Sequence, residues 1–217
     1  MAETAITETG LIHIVDDDVG VRESLGFLLE TAGFSVRSHA SAAAVLAAVA
    51  PQDTGCLITD VRMPGMDGLA LQKHLAERSS HLSVIVMTAH GDIPMAVRAL
   101  KGGAVDFLEK PFNDKALLDA VQRALVASRK AAADAATARA AAVRLDRLTA
   151  REKEVLHGLI AGQANKEIAI GLGVSPRTVE VHRARVMEKM EAESLPDLIH
   201  QAMSAGVAPP DRAGGAG

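Results

Sequence analysis

The sequence predicts an α/β doubly wound parallel sheet of five strands, followed by an all-α four-helix domain and joined to it by a helical linker. Three observations lead there. Short apolar runs alternate five times with helical patterns between residues 11 and 126, residues 128–142 are mostly alanine, and from Leu148 onward the pattern is helical alone. Regular alternation of strand and helix implies parallel strands with right-handed crossovers.

The strands are expected at 11–15, 35–38, 56–59, 83–88 and 105–108. Four of them are dominated by apolar residues, as strands covered on both faces should be. Helices are expected at 19–32, 41–50, 69–78, 94–101 and 115–126. Between Ser128 and Ala142 there is no large apolar residue, and the high helix propensity of alanine makes this stretch a helical linker. Thr149-Ala150-Arg151-Glu152 reads as a capping box ahead of Val155, Leu156, Leu159 and Ile160. Asn165 is expected to cap a second helix that Gly173 closes, and Ser175-Pro176 opens a third with Ser as cap and Pro in the first turn. A fourth runs from about 194 to 205. The divisions are therefore 1–126, 127–147 and 148–206, with 207–217 a disordered tail rich in Gly and Pro.

Composition bounds the chemistry. Of 217 residues, 48% are hydrophobic and 23% charged, the balance of a folded chain. With no Trp or Tyr and four Phe, the cores must be aliphatic, and stacking on single-stranded nucleic acid is disfavoured. A net charge of −4 means that any nucleic-acid contact must rest on local residues. The one cysteine, Cys56, lies in an apolar run and reads as a small hydrophobe, which rules out a disulfide framework. The polar, acidic start (Glu3, Thr4, Thr7, Glu8) does not resemble a signal peptide, and no apolar run reaches the roughly 18 to 20 residues of a membrane span, so a cytoplasmic, membrane-free protein is expected.

Ligand sites of open parallel sheets form beyond the carboxyl ends of the strands. Asp16 and Asp17 follow the first strand and Asp60 the third, so neighbouring strands would bring three carboxylates together. Their mutual repulsion is relieved by a hard cation, Mg²⁺ (or Mn²⁺). Thr88 closes the fourth strand with a hydroxyl and Lys110 follows the fifth with an ammonium. Together these groups suit in-line attack by a carboxylate on phosphorus.

Ile14-Val15-Asp16-Asp17-Asp18, the run from Asp60 to Gly68, Met87-Thr88-Ala89 and the run from Asp106 to Phe112 resemble the receiver domain of two-component response regulators, a flavodoxin/CheY-like fold. The resemblance implies Asp60 as phosphoacceptor, with Asp16, Asp17, Asp60 and the Arg62 carbonyl around the metal. It implies Thr88 and Lys110 on the phosphoryl group, a Lys110-Pro111 bond that is cis, and a switch that pairs Thr88 with Phe107. Arg62 and His90, flanking the pocket, are expected to tune phosphoryl lifetime.

The runs 148–156, 165–169 and 174–182 resemble the LuxR/NarL-type helix-turn-helix, which implies that a third helix, 176–190, enters the major groove. A helical wheel puts Val179, Val186 and Met190 inward. Arg177, Val181, Ala184 and Arg185 point away from them, with Glu180 at the margin, and these are the candidates for base edges. Lys166, Thr178, His182, Arg183 and Lys189 are candidates for phosphate.

Within this class the likeness runs to regulators of nitrogen-fixation and microaerobic genes. It implies an oxygen-sensing sensor histidine kinase, promoter DNA, RNA polymerase and a phosphorylation-dependent homodimer as partners. The only catalysis implied is self-phosphorylation and slow self-dephosphorylation. Two other readings stay open from the residues alone: a Mg²⁺-dependent phosphohydrolase, and an adaptor whose helical end docks a protein.

Overall fold

The computed structural model describes residues 10–89 and 93–208; His90 and nearly all of the expected tail lie outside them. The chain forms two compact units, Met1–Ala132 and Ala133–Gly217.

In the first unit, β1 (Leu11–Val15), β2 (Ser35–His39), β3 (Thr54–Asp60), β4 (His81–Thr88) and β5 (Asp106–Glu109) form one sheet, every neighbouring pair parallel, in the order β2-β1-β3-β4-β5. α1 (Val19–Thr31), α2 (Ala42–Ala48), α3 (Gly68–Glu77), α4 (Ile93–Lys101) and α5 (Asp114–Asp146) connect and cover it. Because side chains alternate along a strand, the sheet supports two cores. One joins Ile12, Ile14, Ile58, Ile85 and Met87 to Leu25 and Leu29 of α1 and Leu117 and Val121 of α5. The other joins Val15, Leu57, Val84 and Val86 to Val45 of α2, Leu71 and Leu75 of α3 and Ala99 of α4. Cys56 is fully buried, and burial drives its thiol pKa far up, as a packing role requires.

The expected helix at 115–126 and the alanine-rich stretch form one element, since α5 runs unbroken from Asp114 to Asp146. No break arises because alanine continues the helix without a packing face. Within the first unit, the backbone N–H of Gly55 donates to Ser128 Oγ at 2.8 Å and ties α5 to the start of β3.

In the second unit, α6 (Ala150–Ile160), α7 (Asn165–Leu172), α8 (Pro176–Lys189) and α9 (Leu195–Ser204) enclose Val155, Leu156, Ile168, Val179, Val186, Met190 and Leu198. The Thr149–Glu152 capping box is formed, and Ser175 and Ser194 cap α8 and α9. One cap is corrected. Ala164 occupies the N-cap of α7 and Asn165 its first helical position, because Glu167 reaches back to the Ala164 N–H at 2.7 Å and supplies the cap that Ala164 lacks. Gly173 ends α7 at φ 65°, a left-handed turn that glycine adopts without steric cost. Among the described residues, no helix is long and apolar enough to cross a membrane.

A buried pair, His13 of β1 and His39 of β2, shares a hydrogen bond between Nδ1 and Nε2 at 3.0 Å with stacked rings. Burial, the neighbouring His39 and Arg37 lower the His13 pKa to about 4 against a small opposing pull from Asp53. The unfolded chain then binds a proton that the folded one refuses. Stability should be complete above the ordinary histidine value of 6.5 and fall by about 3 kcal/mol as pH drops toward 4. Urea unfolding of the wild type across this range should show that slope, and His13→Gln should flatten it.

Candidate functional site

Sheet order decides the site. β1 and β3 are neighbours, and the helices after them leave on opposite faces, so a crevice opens where Asp16 leaves β1 and Asp60 ends β3. Asp16 and Asp60 are both buried, at 3% and 8% exposure. The Lys110 ammonium, just beyond β5, donates to Asp16 Oδ2 and to Asp60 Oδ1, each at 2.8 Å. Each carboxylate is held at its second oxygen as well, Asp16 by the Asp18 N–H at 2.9 Å and Asp60 by the Arg62 N–H at 2.6 Å. Burial lowers the Lys110 pKa, but the bonds to Asp16 and Asp60 outweigh it and leave the value raised, so Lys110 is a fixed cation.

Backbone geometry shapes the crevice around Asp60. Gly68 starts α3 so close over the Asp60 carbonyl that a Cβ there would collide with that oxygen. Asp67 caps the same helix at the Ala70 N–H. Lys110-Pro111 is cis. Thr88 is buried at the end of β4, and its carbonyl accepts from the Lys110 N–H at 2.7 Å. Val86 pairs with Phe107, so Thr88, two residues further along β4, shares a sheet face with Phe107. Phe107 packs against the core below α3 and α4. Gln72 of α3 donates to the Ala99 carbonyl of α4 at 2.8 Å and links those two helices.

The expected residues are thus largely brought together. Asp17 differs: its carboxylate is exposed and makes no hydrogen bond or ion pair among the described residues. The two buried carboxylates against one ammonium leave an excess of negative charge in the crevice. This is a hard-oxygen set that fits Mg²⁺. Among the described residues, no three Asp, Glu, His or Cys side chains already stand as a metal cluster. A cation there would share Asp16 and Asp60 with Lys110.

In the second unit, α8 buries Val179 and Val186 and exposes Arg177, Glu180, Val181, Ala184 and Arg185. Thr178, His182 and Arg183 are half-buried, and Lys166 is exposed on α7. His182 lies at the core edge with its Nδ1 enclosed and unpartnered. Lys189, a phosphate candidate, is engaged within the unit. Its ammonium donates to the buried Glu152 carboxylate at 2.6 Å and to the Arg147 carbonyl at 3.3 Å, so a phosphate would have to compete with an internal ion pair. The wheel placed Lys189 on the helix but could not see α6 beside it. Sequence reasoning also passed over Arg22, whose guanidinium donates to the Asp16 and Asp17 carbonyls.

A five-stranded parallel sheet with an acidic crevice at its switch point, followed by a helix-turn-helix unit, defines a phosphorylatable regulator with a DNA-binding end. Residues 12–122 match the response regulator receiver domain, and residues 146–202 match the bacterial regulatory proteins of the luxR family. The chain belongs to the two-component response regulators that carry a LuxR-family DNA-binding domain. It is 54% identical over 202 residues to the transcriptional regulatory protein FixJ of Azorhizobium caulinodans, covering 93% of this chain and 96% of that protein. The FixJ of Rhizobium meliloti is 48% identical, with 91% and 97% covered. Among solved structures, the response regulator StyR matches with a TM-score of 0.72 at 42% identity, covering 90% of this chain and 99% of that one. Full-length FixJ from B. japonicum matches with 0.55 at 48%, covering 92% and 98%.

The Glu152 contacts carry a stability prediction. The bond from Lys189, helped by Thr149 and opposed by burial, lowers the Glu152 pKa to about 2. A depressed carboxylate contributes stability above its ordinary 4.5, and that contribution is lost as pH falls toward 2. Glu152→Gln should cost the second unit about 1–3 kcal/mol at neutral pH and remove this acid dependence, as read by thermal unfolding monitored by circular dichroism.

Proposed function

We propose that the chain is a phosphorylation-activated transcription factor. In this reading a sensor histidine kinase, FixL-like and oxygen-responsive, phosphorylates Asp60, and the phosphorylated chain pairs and binds promoter DNA. The observation that carries the reading is the Lys110 ammonium held between Asp16 and Asp60 at the ends of three strands. The Asp60 carboxylate attacks the phosphorus of the kinase's phosphohistidine in line. The phosphorus–nitrogen bond breaks, and the imidazole nitrogen keeps the electron pair. Lys110 and the Thr88 hydroxyl take the phosphoryl oxygens. Asp16, Asp17, Asp60 and the Arg62 carbonyl would hold Mg²⁺ or Mn²⁺, which would supply neutralising charge during transfer.

Thr88 moving toward the phosphoryl group leaves space that Phe107 fills, and α4 repacks with it. The outer face of α4 supports pairing, since Ile93, Val97 and Leu100 are exposed on one stripe. Two copies then present two α8 helices to an inverted repeat. Arg177, Glu180, Val181, Ala184 and Arg185 meet base edges, while Lys166, Thr178, His182 and Arg183 meet phosphate.

The 54% identity to a FixJ protein supports activation of nitrogen-fixation and microaerobic genes through RNA polymerase in the cytoplasm. A Rhodobacter capsulatus C4-dicarboxylate transport regulator, DctR, is 47% identical over 189 residues. Genes for dicarboxylate uptake are therefore the second candidate target set.

Duplexes selected from a random pool with the acetyl-phosphate-treated chain and Mg²⁺ test this. They should be shifted by phosphorylated wild type and not by Asp60→Asn under the same treatment. An Asp60→Asn chain that still responds to acetyl phosphate contradicts the reading. Arg177→Ala or Arg185→Ala should weaken binding by about 10- to 100-fold while leaving Asp60 phosphorylation intact, as measured by titration at fixed salt.

A further inference from the structure

We propose that Arg22 is a positioning residue of the phosphoacceptor site, acting by aiming the Asp17 carboxylate at the cation; this rests on the function proposed above. Arg22 is the fourth residue of α1. Its backbone N–H bonds to the Asp18 carbonyl at 3.2 Å in the ordinary helical way. Its side chain instead folds back over the start of the helix. There Nη1 donates to the Asp16 carbonyl at 2.7 Å and to the Asp17 carbonyl at 3.1 Å.

Those two carbonyls belong to the peptide planes on either side of the Asp17 Cα. Fixing both planes fixes the φ and ψ of Asp17, and hence the direction of its Cα–Cβ bond. No other group does this from the side chain, since the Asp17 carboxylate has no partner among the described residues. Its neighbours are held separately: Asp16 Oδ1 by the Asp18 N–H, and Asp18 by capping α1 at the Gly20 and Val21 N–H groups.

A cation near a helix N-terminus works against the macrodipole, although the Asp18 cap supplies a compensating carboxylate at that end of α1. What the guanidinium gains there is the pair of carbonyls at the acidic turn, and its charge moderates the carboxylate excess beside it. One donor nitrogen serves both peptides, on a planar head that a lysine ammonium does not reproduce.

The test uses the full chain, with Mn²⁺ affinity read by the spin resonance of the free ion and the Mg²⁺ dependence of phosphorylation by acetyl phosphate. Residues that orient metal ligands typically change affinity by about 10- to 100-fold. Arg22→Met should raise the Mn²⁺ dissociation constant about 10-fold. The half-saturating Mg²⁺ concentration should rise in parallel, with the rate at saturating Mg²⁺ little changed. Arg22→Lys should fall between Met and wild type, and the unfolding midpoint should not track the loss. Wild-type Mn²⁺ affinity in Arg22→Met, or a loss that simply follows the unfolding midpoint, overturns the proposal. If Arg22→Met does not fold, Arg22→Lys decides on the same two readouts. Failure of the wild type itself to bind Mn²⁺ or accept a phosphoryl group would sink the functional reading as well. A normal wild type beside an unaltered variant sinks only the role of Arg22.

Discussion

Two buried carboxylates from different strands share one ammonium, and most of the first unit can be understood as the means of holding that arrangement. Buried like charges repel unless a cation stands between them. Lys110 meets that need only because β5 ends where it does, because β1 and β3 are neighbours, and because backbone N–H groups take the remaining oxygens of Asp16 and Asp60. The arrangement is nonetheless incomplete as electrostatics. It keeps a surplus of negative charge, which suits the divalent ion invoked in the function proposed above.

The second unit solves a different problem with a related device. α8 buries Val179 and Val186 on one side, and its far end is fastened by Lys189 to the buried Glu152 carboxylate, which also closes the capping box of α6. The start of α6 and the end of α8 are therefore fixed by one side chain. Substitutions at Glu152 would disturb DNA reading without any contact to DNA, and binding assays on such variants need a stability measurement beside them.

Much of this was legible in the sequence because it rests on periodicity and strand-end chemistry. The five strands fall where the apolar runs predict, and their order brings Asp16, Asp60 and Lys110 together as their positions imply. The caps of α6 and α8 were readable because capping is a local code, and α7 misled because its cap is supplied by Glu167 from inside the helix. What sequence could not give were contacts across elements. The Lys189–Glu152 pair joins positions 37 residues apart, the Gln72–Ala99 bond 27, and the His13–His39 bond 26. Arg22 lies only five and six residues from the carbonyls it binds, but an arginine in the first turns of an amphipathic helix ordinarily reads as solvated surface.

The Gln72 amide has a thermodynamic consequence. α3 begins directly over the Asp60 carbonyl at Gly68, and one turn later Gln72 fastens it to the Ala99 carbonyl of α4. The roof of the acceptor and the helix with the exposed Ile93, Val97 and Leu100 stripe are thus one mechanical piece. Linkage between two such sites is reciprocal. Under the function proposed above, whatever protein surface favours one placement of α4 would bias the equilibrium formation of the acyl phosphate by the same free energy. The occupancy of Asp60 in a cell would then depend on what the regulator is touching as well as on how much kinase signal reaches it.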